Sequence, residues 1–91
     1  MSPTTRFTVL IENPARKRLL SIPRDDAKKI LLKISDLSVN PIPRGSKKLS
    51  GLMNSFRIRS GVYRVIYFID FDNLTVKIAD LGHRKDVYKK L

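Results

Sequence analysis

Residues 55–70 read SFRIRSGVYRVIYFID, and this stretch limits what the chain can fold into more than any other. Apolar and aromatic residues alternate with arginines on either side of Ser60-Gly61, the pattern of two strands joined by a tight turn. With Ser60 and Gly61 as the loop residues, Phe56, Ile58, Tyr63, Val65, Tyr67 and Ile69 share one face. Arg57, Arg59, Val62, Arg64, Ile66 and Phe68 share the other. Arg57 is then expected directly across from Arg64, with Arg59 diagonal to it. A lone hairpin is marginal in water, so the rest of the chain must cover the apolar face.

The flanking segments supply that cover. Residues 6–12, RFTVLIE, are β-branched and apolar enough for a first strand. Asn13-Pro14 predicts a helix start, with Asn13 as N-cap and Pro14 at the first helical position. This short helix turns Ala15, Leu19 and Leu20 inward and ends before Pro23. A second helix is expected from about Arg24 to Val39. Asp25 and Asp26 suit the positive end of its dipole, and Ala27, Ile30, Leu31, Ile34 and Leu37 form one apolar stripe. Asn40-Pro41 closes it, and residues 40–54 read as the one real loop. After the 55–60 and 62–70 strands, Asp72-Asn73 signals a turn. A last strand covers about 74–81, Gly82 ends it, and a short basic segment closes the chain. Residues 1–91 thus form one α+β domain in the order β-α-α-β-β-β, a helical hairpin on one face of a small, mostly antiparallel sheet.

Charge narrows the partners. Nineteen basic and eight acidic residues leave +11 on 91 residues, a balance that suits a nucleic acid, an anionic membrane or an acidic protein. No carboxylate occurs between Asp36 and Asp70, while Arg44, Lys47, Lys48, Arg57, Arg59 and Arg64 fall in that gap. Like charges opposed across strands are destabilising, and arginine cannot escape by losing its proton. The cluster is therefore read as prepared for an external anion, and phosphate oxygens match the guanidinium fork best. The absence of cysteine and the single histidine exclude a disulfide framework, a thiolate nucleophile and a Cys- or His-rich metal centre. No metal or other cofactor is expected. Apolar runs stay far below the roughly 20 residues that span a bilayer, and residues 6–11 are too short for a secretory core. A cytoplasmic protein without a membrane partner is the expectation.

The tail, GHRKDVYKKL, is a second constellation. His83 carries the side-chain type that ordinarily titrates near neutrality, and Arg84 follows it. In a helical turn Arg84 and Tyr88 share a face, and Tyr88 is able to stack on a base or bond a phosphate. Lys85 and Lys89, with Arg44, Lys47 and Lys48, are the flanking cations expected to hold a nucleic acid.

RIRSGVYRVIY followed by LGHRKDVY resembles the RelE family of toxins from type II toxin–antitoxin modules. The likeness spans nearly the whole chain, including the early strand, the helical hairpin and the KKLSGL loop. It implies a RelE-like fold and a ribosome-dependent endoribonuclease that cuts mRNA in the decoding A site and arrests translation. It also implies a cognate acidic antitoxin, with DNA met only through a complex with that antitoxin. By position, the resemblance assigns catalytic roles to Arg57, Arg59, Arg64, Arg84 and Tyr88, with His83 a candidate acid or base. The best-known type of member has lysines where this chain has Arg57 and Arg59. Arginine makes a poor general base, so these two are assigned to holding phosphate and stabilising charge. Proton transfer then falls to His83 or to a ribosomal RNA nucleotide. Three other readings stay open: a ParE-like toxin aimed at DNA gyrase, a non-catalytic RNA- or ribosome-binding protein, and an antitoxin-bound remnant whose nuclease activity is weak or lost.

Overall fold

The computed structural model describes residues 6–83. Its elements run β1 (Thr8–Ile11), α1 (Asn13–Ser21), α2 (Arg24–Asp36), β2 (Lys47–Lys48), β3 (Ser55–Ser60), β4 (Tyr63–Asp70) and β5 (Thr75–His83). The strands form one sheet in the order β1-β5-β4-β3-β2. β1 runs parallel to β5 and every other pairing is antiparallel, so the α+β expectation holds.

Both helices cover the same face. α1 lies over β5 and α2 over β3, and the core joins Ala15, Ile30, Ile34 and Leu37 to the inward side chains of β3, β4 and β5. Tyr67 lies at its centre, fully buried. It stacks on its cross-strand partner Phe56 with ring centroids 5.9 Å apart, a pairing worth more than its buried area alone. The predicted inward face of the hairpin is the face that packs.

Several expectations need correction. The helix-opening hydrogen bond runs from the Arg16 amide to the Glu12 carbonyl, so Glu12 and not Asn13 occupies the cap position, and no side chain caps the helix. Leu20, expected inward, is 82% exposed; on so short a helix only the line through Ala15 and Leu19 reaches the sheet. Leu31 likewise lies at the margin of the α2 stripe and is exposed. Helix α2 ends at Asp36, with Leu37–Val39 continuing as turn. The 40–54 segment is not all loop, because Lys47 and Lys48 pair with Arg57 and Phe56 as a two-residue edge strand. Gly82 does not end the last strand: β5 continues through Gly82, opposite Arg64, to His83, opposite Tyr63.

The turn of the central hairpin also moves by one residue. Ser60 pairs with Tyr63, which leaves Gly61 and Val62 as the two loop residues. Gly61 takes the left-handed φ of +62° required at the first central position of a II′ turn, whose twist matches that of the strands. The shift moves pairing by two positions, so every side chain keeps its predicted face. What changes is the partner: Arg64 lies across from Arg59, and Arg57 lies across from Ile66.

Candidate nucleic-acid interface

The face turned away from the helices carries the arginines in two cross-strand rows. In one row Lys47 pairs with Arg57 and Arg57 with Ile66. In the next, Arg59 pairs with Arg64 and Arg64 with Gly82. Each row thus opposes two cations directly, at the spacing where like charges repel. The row that holds Arg59 and Arg64 ends on a glycine, which adds no side chain beyond Arg64. Lys47 joins the cluster through β2, which the sequence did not predict.

Burial sharpens the electrostatics. Arg57 is only 9% exposed and its neighbour Ile66 only 4%. A guanidinium removed from water needs a counter-charge or good hydrogen bonds. Among the described residues no carboxylate pairs with Arg57 or Arg59. Asp80, the register partner of Ile66, is held instead by Arg18 of α1, Nε to Oδ1 at 2.9 Å. Its Oδ1 also accepts the Leu81 amide. A phosphate oxygen beside Arg57 and Arg59 would supply the counter-charge that no carboxylate among the described residues gives those two.

Two contacts that link distant segments shape the border of this face. The Tyr67 hydroxyl donates to the Pro41 carbonyl at 2.7 Å, tying the segment that carries Arg44 to the central strand. Burial pushes that phenol up to about 12, with a hydrogen bond from Ser46 pulling the other way. Lys33 of α2 donates its ammonium to the Arg59 carbonyl, fixing the strand from the helix side. Neither contact has a sequence signal: each joins residues 26 apart, with no periodicity to announce it.

The remaining predicted residues divide. Arg44 and Lys48 are exposed; Lys48 pairs with Phe56 and so falls on the opposite face from Lys47. His83 closes β5 with its ring against Tyr63, centroids 6.5 Å apart and nearly perpendicular. Tyr63 and Arg64 alternate along β4, so the imidazole lies on the helix side of the sheet end, one position along from the Arg59–Arg64 row. Arg84, Lys85, Tyr88 and Lys89 lie outside the described residues. No group of three or more His, Cys, Asp or Glu suited to a metal ion occurs among the described residues, and no helix there is long and apolar enough to cross a membrane.

Residues 9–88 match the family model described as the ParE toxin of the type II toxin–antitoxin system parDE. Toxin RelG of Mycobacterium tuberculosis is 34% identical over 85 residues, covering 92% of this chain and 98% of the relative. Putative toxin RelE1 of Methanocaldococcus jannaschii is 32% identical over 87 residues, covering 92% and 97%. Among solved structures, the archaeal RelE–RelB complex of Pyrococcus horikoshii contains a chain that superposes with a TM-score of 0.79 at 30% identity. That match covers 89% of this chain and 98% of the other.

Proposed function

The chain belongs to the RelE family of toxins of type II toxin–antitoxin modules, and on that premise we propose that it is a ribosome-dependent endoribonuclease acting on mRNA in the A site. The observation that carries this reading is the pair of opposed cation rows, Lys47 with Arg57 and Arg59 with Arg64, on a strand face where no carboxylate among the described residues pairs with Arg57 or Arg59. RNA brings its own nucleophile. The 2′-hydroxyl attacks the adjacent phosphorus, the bond to the 5′-oxygen breaks, and the ends are a 2′,3′-cyclic phosphate and a 5′-hydroxyl. The protein has to splay the nucleotides into line, stabilise the negative charge gathering on the phosphoryl oxygens, and move two protons.

Arg57, Arg59 and Arg64 take the charge-stabilising role. Arg84 stabilises the leaving oxygen and Tyr88 positions the substrate, both assigned from their place in the family pattern. An arginine face cannot easily remove the 2′-hydroxyl proton. That task falls to His83, reaching past the sheet end, or to a ribosomal nucleotide. Arg44, Lys47, Lys48, Lys85 and Lys89 hold the RNA on either side. The partner in the cell is an acidic antitoxin, by analogy with the RelE–RelB complex, and the site of action is the cytoplasm.

The name of the matched family model raises a second reading, a toxin directed at DNA gyrase. The complete arginine and tyrosine set favours RNA. Induction in cells separates the two: the proposal expects protein synthesis to stop within minutes while DNA stays intact. Ongoing translation with a DNA-damage response would overturn it.

A further inference from the structure

β2 covers the outer edge of β3 only opposite Phe56 and Arg57. Past that point no strand among the described residues covers the edge, and a cleft of about 360 Å³ opens beside it, a size that admits one small-molecule unit. Its walls are Lys33 and Asp36 of α2, Pro43 and Arg44 of the following loop, and Ile58 and Arg59 of β3. The cleft lies on the helix side of the strand, whereas the Arg59 side chain belongs to the cation face. Arg59 is therefore shared by both.

The cleft is scaffolded on three sides. The Lys33 ammonium is anchored on the Arg59 carbonyl. The segment bearing Arg44 is tied down by the bond from the buried Tyr67 to Pro41. The turn itself closes through the Ser46 amide on the Pro43 carbonyl, 3.0 Å. That geometry puts Gly45 at the third turn position with φ +93° and open space where a side chain would stand. Turns of this shape require φ > 0 there, and the missing side chain leaves the backbone open to close approach.

Charge and apolarity are combined in a particular way. Two cations, Lys33 and Arg44, stand over a floor of Ile58 and Pro43, with one carboxylate, Asp36, that forms no ion pair among the described residues. An acidic peptide would meet that carboxylate with repulsion. A nucleotide meets all three features at once. Its phosphate suits Arg44 and Lys33, its base lies on the apolar floor, and an N–H edge of the base donates to Asp36.

We propose that this cleft binds a nucleotide flanking the two that the scissile phosphate joins, on the same single strand of RNA, which passes over the edge of β3 at Arg59. Asp36 makes the cleft favour a base that presents N–H groups, guanine above uracil. The inference rests on the reading of the arginine face as an RNA surface, and length dependence separates the two claims.

The test is fluorescence anisotropy with the purified toxin and labelled, 2′-O-methylated RNAs of two and of six nucleotides. Arg44 is exposed and makes no contact on which the fold depends, so Arg44→Ala is the main variant. It is expected to weaken the six-nucleotide RNA by about tenfold, the loss of one charge-assisted contact, and to leave the dinucleotide within about twofold. Asp36→Asn is expected to erase a guanine-over-uracil preference in the longer RNA. Arg64→Ala should weaken both lengths, and its failure to do so would count against the arginine face without touching the length test. Equal loss at both lengths on Arg44→Ala, or no loss at either, overturns the cleft. So does a result in which Arg44→Ala weakens only antitoxin binding.

Discussion

Arg57 shows in a single residue what the site demands of the fold. It sits 9% exposed between Lys47 and Ile66, so its charge is held out of water beside a second positive charge. Replacing a buried, poorly compensated ion by an apolar residue of similar length is often stabilising, and sites kept for function commonly reduce stability. Arg57→Met is expected to raise the unfolding free energy by about 1 kcal/mol, measured by urea denaturation. The same change is expected to lower mRNA cleavage on ribosomes by about a hundredfold, the scale of losing one preorganised charge at a transition state. A stability loss with cleavage intact would make Arg57 a packing residue. The arginine types and their face were legible in the sequence because alternation alone decides them. Their partners were not, since a turn shifted by one residue alters who faces whom while leaving every face unchanged.

At the scale of elements, the site depends on how the 37–46 segment is fastened to the sheet. One fastening is the Tyr67 hydroxyl on Pro41, made from inside the core, beside the Phe7 amide on the Ser38 carbonyl. The phenol's raised value, about 12 against an ordinary 10, means the folded state keeps its proton where the unfolded chain releases it. The stabilisation is therefore complete below about pH 10 and disappears between about pH 10 and 12, by roughly 2 to 3 kcal/mol. Comparing wild type with Tyr67→Phe by denaturation across that range isolates the effect: the variant lacks this loss, so the stability gap between the two narrows as the pH rises. Asp70 works in the opposite sense at the far turn. Hydrogen bonds from the Asn73 side chain and backbone hold its carboxyl below the ordinary value, so that contribution disappears as pH falls. The strands and helices themselves were readable from period and punctuation. β2 was not, because a two-residue strand in a segment rich in Pro, Gly and Ser carries no pattern of its own and exists only through pairing with β3. The extension of β5 through Gly82 was hidden for the same reason: glycine reads as a stop, and only the partner strand keeps it in the ladder.

Over the whole molecule the excess charge acts as one device. On the proposed function, a net +11 on 91 residues would attract a polyanion, and the opposed rows would fix where it settles. If three phosphates are held, affinity for single-stranded RNA should fall about twentyfold between 50 and 200 mM salt. A log–log plot of anisotropy-derived Kd against salt reads this slope, and a flat response would place the binding in apolar contacts instead. In the proposed reaction the Arg59–Arg64 row stabilises the phosphate at which the message is cut. Primer extension on a defined message in a purified translation system tests it most directly. Stops are expected at A-site codons with the wild-type toxin, reduced by about 10² to 10³ with Arg64→Ala, a variant expected still to bind the antitoxin. Equal cleavage by the wild type and Arg64→Ala would contradict it.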